Sequence, residues 1–405
     1  MELSYYTNFA SSIAQQEAQL STLQQQIASG VSVQTPDQNP AAYETATLGN
    51  DQISALTSDA TIQASIQSQL GSVSNTYQSV SSLFDNVQSV VEQALNGTTN
   101  SENMKLLATQ VSTAAQQLVG LGNSTGTNGT YLFGGSRGNV QPFQTGSSGN
   151  IVYMGDGGQS QAAIAPGASA STIANGEVFM NGLSGDGFAS VTATPSNSGT
   201  SSLLSQGVAN PAAASAFQAS PLANAITVSF SGPPSALTYT TTQGGVTSAA
   251  ASVTPGMSLT LGGVDFQLNG TPQAGDSFTI SPSRPQSAFS LLQNVARTLT
   301  AAGGDTSPAQ AAQTRQQLNQ DLSGLAQYQQ SVLAAQAQNG VTLQAVSKAG
   351  TSDTNQETAV QTAVQNATAV NMPAALTTLS ETETALQAAM KAFGSVHSLS
   401  LFNYL

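Results

Sequence analysis

Large apolar side chains recur at alternating four- and three-residue steps at both ends of this chain. They are Phe9, Ile13, Leu20, Leu23 and Ile27 near the start, and Met372, Leu376, Leu379, Leu386, Met390 and Phe393 near the end. Such steps average about 3.5 residues, the repeat that keeps one seam of a helix turned toward a partner helix. Each terminus is therefore expected to lie in a coiled coil. The simplest partner for each end is the other, which folds the chain back on itself with its middle far away and suits a rod.

Between these stripes the pattern changes several times. The first helix should stop near Ser29-Gly30, where glycine suits a left-handed C-terminal cap, and Pro36 and Pro40 bracket a turn. A much longer helix is expected from Ala41 to Leu95, carried by Ile66, Leu70, Val73, Tyr77, Val80, Phe84, Val87 and Val91. At about 1.5 Å per residue it would extend ~80 Å. A third helix carries Met104, Leu107, Val111, Ala114, Leu118 and Leu121.

From about Tyr131 to Pro285 short alternating runs are broken by Gly, Pro, Asn and Ser. Residues 225–230, 237–240 and 277–280 have the period of two and the β-branched content of strands. Turn signals such as Gly232-Pro233-Pro234, Gly244-Gly245 and Asn269-Gly270 separate the runs. Helical spacing resumes at Phe289, Leu292, Ala296 and Leu299. After Gly303-Gly304 it continues through Leu318, Leu322, Leu325, Val332, Leu343 and Val346, with Ser307-Pro308 as a good start. Asn339-Gly340 is expected to bend that helix, a polar segment from Gly350 to Asn355 to end it, and Pro373 to kink or restart the last one. The expected class is mainly α with an inserted β domain.

Composition narrows what such a chain does. Its 405 residues suffice for two or three domains, and 39% hydrophobic residues support packed cores. Charged residues make up 7%, with 20 acidic against 7 basic, and the net charge of -13 argues against neutralising nucleic-acid phosphates. A freely soluble coiled coil flanks its seam with Glu and Lys, but here those positions are mostly Gln, Ser, Thr and Ala. Such faces approach other helices without desolvating ions, which favours packing against further subunits; a plain compositional bias is the alternative. The start has neither the basic nor the apolar region of a cleaved secretory leader, and no run approaches a membrane span. The chain is expected to be cytoplasmic or exported without such a leader.

Candidate chemistry is sparse. There is no cysteine, and the single histidine, His397, has no companion for a metal set. No base is recognisable to activate a Ser or Thr. Gly155-Asp156-Gly157-Gly158 lacks the context of a phosphate or calcium loop and reads as a hairpin turn. Asn96-Gly97-Thr98 and Asn128-Gly129-Thr130 fit the glycosylation pattern but read as turns. No catalytic, cofactor or metal site is expected.

Four stretches resemble one family. Ile27-Ala28-Ser29-Gly30, with Pro36 to Pro40 and Ala41-Ala42, resembles its serine- or threonine-glycine turn followed by Pro-Ser-Asp-Asp-Pro. Asn128-Gly129-Thr130-Tyr131-Leu132-Phe133-Gly134-Gly135 is similar to its Asn-Gly-Arg-Tyr-Leu-Phe-Gly-Gly segment at the entrance to the outer domain. Gly275-Asp276-Ser277-Phe278-Thr279-Ile280 resembles the returning strand. Residues 386–393, with Ser398 to Phe402 and Tyr404-Leu405, resemble its terminal helix and tail. On these motifs the chain resembles the flagellar hook-associated protein 3, or hook-filament junction protein (FlgL), family of the flagellin superfamily. Two departures, Gln38-Asn39 for the acidic pair and Thr130 for Arg, bear on charge contacts of the loop and a salt bridge at the entrance.

The resemblance implies an antiparallel helical rod in three parts. Residues 1–40 with 352–405 would form an inner tube, 41–135 with 286–351 the helical rod, and 136–285 the outer β domain. It implies a ring of copies between a hook-associated protein and flagellin, export through the flagellar type III channel with a chaperone, and an extracellular flagellar location. Neither nucleic acid nor membrane insertion is implied. Phe9, Ile13, Leu20, Leu23, Ile27, Leu376, Leu379, Leu386, Met390, Phe393 and Leu401 are then the expected assembly surface. Gln16 and Glu383, read as seam positions near one level, are expected either to hydrogen-bond and fix register or to lie off-centre and be solvated. A flagellin-like filament subunit, or a secreted adhesin-like module using the β insert, remains open.

Overall fold

The computed structural model describes residues 2–96, 100–219, 224–305 and 307–402; the side chains of residues 2–6, 393 and 396–402 are outside that description. Seven α-helices are found among the described residues: α1 (Glu2–Ser29), α2 (Pro40–Leu95), α3 (Ser101–Gly122), α4 (Pro211–Gln218), α5 (Ala288–Ala302), α6 (Pro308–Thr368) and α7 (Met372–Phe402). The chain forms two compact units. One comprises Met1–Ile62 and Lys348–Leu405, the other Gln63–Ser347.

Local chemistry sets the helix ends. α1 stops at Gly30, whose φ of 71° is open to glycine without strain. Asn39 Oδ1 accepts from Ala42 N at 3.2 Å, capping α2 where the resembling family carries an acidic residue. Gln38 Oε1 accepts from Gln34 N at 2.6 Å, so the neutral pair replaces charge with hydrogen bonds. At α6, Ser307 Oγ accepts from Gln310 N and Gln310 Oε1 accepts from Ser307 N, each at 3.2 Å, forming a capping box.

α2 buries every seventh residue along most of its length: Ala42, Gly49, Leu56, Gln63, Leu70, Tyr77, Phe84 and Val91. This sustained heptad row begins with small residues and carries two aromatic ones, Tyr77 and Phe84, before it ends at Val91. Within the first unit, Gly49 lets α2 approach α6 closely, because a Cβ there would overlap the Val364 side chain.

α6 corrects the expected breaks. It runs 61 residues without interruption. Asn339 is held rather than broken, buried with Nδ2 donating to Leu70 O at 2.9 Å. Through Gly350 to Asn355 the helix persists, with Thr354 Oγ1 donating to Gly350 O at 2.8 Å. The break falls instead at residues 369–371. There Asn371 Oδ1 accepts from Ala374 N at 3.2 Å, and Pro373 lies in the first turn of α7, where its missing N–H is harmless.

The second unit has two apolar cores. One is built by the expected stripes of α2, α3, α5 and α6, including Val73, Tyr77, Phe84, Val111, Leu118, Phe289, Leu292, Leu318, Leu325 and Val332. Leu132 and Phe133 of the Tyr-Leu-Phe-Gly-Gly stretch plug into it. The Phe133 ring meets Tyr77 at 5.4 Å and Phe179 at 5.2 Å, both edge-on. Thr130, which stands where the family has Arg, accepts from Gln69 Nε2 at 3.2 Å and donates to Asn128 Oδ1 at 2.7 Å.

The other core lies between two antiparallel sheets. The larger runs Val246–Thr247, Thr238–Gln243, Ile226–Ser231, Ser277–Pro282 and Ala189–Ala193, with Ala251–Ser252 also on Thr238–Gln243. The smaller runs Ser258–Leu261, Val264–Asn269 and Ser202–Val208. Alternate residues point inward, Val228, Phe230, Phe278 and Ile280 from one sheet and Leu203, Phe266 and Leu268 from the other, with Phe217 of α4 closing the core. Asp276, in the Gly-Asp-Ser-Phe stretch, is buried and accepts from the amides of Ser198 at 2.7 Å and Gln273 at 2.8 Å, anchoring the turn before Ser277–Pro282.

Candidate assembly surface

In the first unit α1 and α7 run antiparallel, stapled where both chains turn. Val31 and Ala369 form an antiparallel bridge, Ser32 N donates to Thr368 O at 2.7 Å, and Val370 N donates to Gly30 O at 3.0 Å. The α1 seam is the one read from sequence. Phe9, Ile13, Gln16, Leu20, Leu23 and Ile27 are half-buried at steps of four and three, and most residues between them are exposed.

The α7 seam keeps Leu379 and Leu386 and differs elsewhere by one position. Ala375, Leu379, Thr382, Leu386 and Ala389 are the buried or half-buried residues, again at steps of four and three. Met372, Leu376 and Met390 are 41%, 51% and 48% exposed, so these three do not face α1. The physical reason is size: the seam carries two alanines and a threonine, which a search for large apolar side chains passes over. The side chains of Phe393, His397 and Leu401 lie outside the described residues.

Leu376, Glu383 and Met390, spaced by seven residues, share a second, outward face of α7. This also corrects the Gln16–Glu383 pairing. Counted away from the Val31–Ala369 bridge, the two residues fall within one position of the same level, but Glu383 is exposed. Thr382 occupies the seam beside it and donates its hydroxyl to Thr378 O at 2.7 Å within its own helix. Gln16 Oε1 is buried without a hydrogen-bond partner.

The pair is thinly packed. No described side chain of α1 is fully buried, and α7 buries Ala375 and Leu386 alone among its described residues. Two amphipathic helices that share one seam leave most of their surface to water, so little apolar burial offsets their ordering entropy.

The other sequence candidates have structural roles. Asp156 of the Gly-Asp-Gly-Gly stretch accepts from Ser136 N at 2.7 Å and Gly158 N at 3.1 Å, and lies 3.8 Å from Arg137 Nε. Bonds from the Ser136 hydroxyl and amide, with the Gly158 amide and the Arg137 charge, hold its carboxyl below the usual range. It closes a turn at the entrance to the β region. Among the described residues no group of His, Asp or Glu is placed to hold a metal ion, and no helix is long and apolar enough to cross a membrane.

Long helices from both chain ends, paired with each other and interrupted by an antiparallel β region, define a flagellin-type fold. More particularly, it is the fold of flagellar hook-associated protein 3, or FlgL. The hook-associated protein 3 structure from Legionella pneumophila superposes with a TM-score of 0.71 at 24% identity, covering 79% of this chain and 98% of that one. FlgL from Xanthomonas campestris gives 0.68 at 24%, covering 78% and 99%. The flagellar junction protein FlgL from Legionella pneumophila gives 0.66 at 26%, covering 75% and 99%. No family model matches the sequence, and no curated relative matches it significantly.

Proposed function

We propose that this chain is a structural component of the bacterial flagellum, an adaptor at the junction between hook and flagellin filament that assembles through its terminal helices. The reading rests on one conjunction. A fold shared along three quarters of the chain with a flagellar junction protein ends in a helix pair that carries an apolar face with no partner in the single chain. The proposed neighbours are other copies in a ring, a hook-associated protein on one side and flagellin on the other, with a chaperone for type III export. The location is then extracellular, and the chain performs no reaction. The division into inner tube (1–40, 352–405), helical rod (41–135, 286–351) and outer β domain (136–285) belongs to the same proposal.

Disrupting the gene tests it. Cells should build hooks, lack filaments and release flagellin into the medium, and the intact gene should restore filaments. Normal filaments on disrupted cells would refute the reading. Deleting the β region should spare filament attachment, whereas an adhesin-like function would be lost with it.

A further inference from the structure

A cavity of about 280 Å³ lies inside the Gln63–Ser347 unit, where α2, α6 and residues 171–178 meet. The heptad row of α2 buries Leu70 and Tyr77 in succession there, and α6 is tied to that row by the Asn339 bond to Leu70 O at 2.9 Å. A 3₁₀ helix, Gly176–Phe179, closes the third side. Asn175 Oδ1 caps it by accepting from Glu177 N at 2.8 Å, which sets Glu177 in its first turn. Leu70, Ile173, Val178 and Ala335 make much of the lining apolar. Apolar walls with a few convergent polar groups are the ordinary make-up of a small-molecule site, and this volume falls just below the ~300 Å³ at which drug-sized ligands begin.

Three polar groups of the lining are left without partners. Tyr77 is 3% exposed, yet its hydroxyl makes no hydrogen bond among the described residues, and the side chain borders the cavity. Burial alone pushes its phenol above the ordinary range, so the group stays neutral and its oxygen is free to accept. A buried hydroxyl in that condition is destabilising unless something enters to bond it. Asn339 uses its amide N–H on Leu70 O, and its Oδ1 has no bond among the described residues. The carboxylate of half-buried Glu177 likewise accepts none among them. No Lys, Arg or His lines the cavity. The set therefore offers three acceptors and a negative charge above an apolar surface.

We propose that this cavity binds a compact organic ammonium ion, which donates to Tyr77 Oη, Asn339 Oδ1 and the Glu177 carboxylate and lays its carbon skeleton on the apolar lining. A primary ammonium carries three N–H donors, one for each acceptor, and its charge answers that of Glu177. Water supplies donors as well, but it brings no charge to Glu177 and gains nothing from Leu70, Ile173 and Val178.

The test titrates the full chain with benzylammonium and, separately, with benzyl alcohol, a neutral molecule of similar shape, each followed by ligand-observed NMR. Benzylammonium should bind saturably at one site and about tenfold more tightly than benzyl alcohol, or better. Tyr77→Phe removes a hydroxyl that bonds nothing in the protein, so it should melt no lower than the wild type while weakening benzylammonium about tenfold. Glu177→Gln keeps the shape of the side chain and the backbone bond to Asn175, and should weaken benzylammonium at least as much while leaving benzyl alcohol unchanged. The two variants are independent, so the test stands if either fails to fold. Absence of saturable binding to the wild type would overturn the proposal, since water alone then fills the cavity. Equal affinity for the two probes would overturn the ammonium class. Wild-type affinity for benzylammonium in either folded variant would also overturn the proposal, because the probe is then bound elsewhere.

Discussion

At the scale of single residues, two buried polar atoms without partners carry the clearest consequences. Gln16 Oε1 sits unsatisfied in the seam, so Gln16→Leu should stabilise the α1–α7 pair of the free chain by about 1 kcal/mol. Helicity of the free chain by circular dichroism checks this, and a loss of helicity would contradict it. Asp321 is 3% exposed, with Oδ1 accepting from Gln317 Nε2 at 3.0 Å and Oδ2 unpartnered. Burial pushes its carboxyl up to about 7, against the Gln317 bond and the Arg297 charge. An unfolded chain ionises near the ordinary value of about 4, so between these limits the native state holds a proton that the unfolded state has lost. Stability contributed by this group therefore falls as pH rises through that window, then stays level. Asp321→Asn should raise stability at pH about 8 by about 1–3 kcal/mol, and the gain should vanish below pH about 4, as thermal melts at both pH values would reveal.

At the scale of elements, legibility depended on side-chain size. The stripes of α2, α3, α5 and α6 could be read because Tyr77, Phe84, Leu118, Phe289 and Val332 are both large and buried. On α7 the same rule found Leu379 and Leu386 of the seam but missed Ala375 and Ala389, while Leu376 and Met390 face outward. Nor could the continuity of α6 be read, because Asn339 is held by a bond to Leu70, distant in sequence. The outward face of α7 has a consequence for assembly. Leu376→Asp with Met390→Asp should leave the free chain's stability within about 0.5 kcal/mol, as exposed substitutions do. The same pair should abolish incorporation into the axial structure, measured by filament attachment in complemented cells. Normal attachment would remove this face from the assembly surface.

At the scale of the whole molecule, both chain ends and the order helices, strands, helices were legible, because long helices repeat their pattern many times. The β region was legible as strands but not as sheets. Its strands are short, and Ala189–Ala193 pairs with Ser277–Pro282 across most of the insert, a long-range pairing that local alternation does not encode. The bonds of Gln316 to Leu203 and of Gln320 to Val191 were invisible for a related reason: in a Gln-rich chain, nothing local distinguishes these two side chains from solvated neighbours. What unites the molecule functionally is a contrast in packing. The Gln63–Ser347 unit buries Val73, Leu118, Leu292 and Val332 completely, while α1 buries no described side chain fully. Under the proposed function, neighbouring copies would supply the missing layer around the terminal helices, and ordering and assembly would then be one event. Hydrogen exchange measured on the free chain and again on the assembled axial structure tests this directly. The account predicts that α1 and α7 exchange without protection in the free chain and become protected on assembly, while α3 and α5 are protected in both. Terminal helices already as protected in the free chain as α3 and α5 would contradict it.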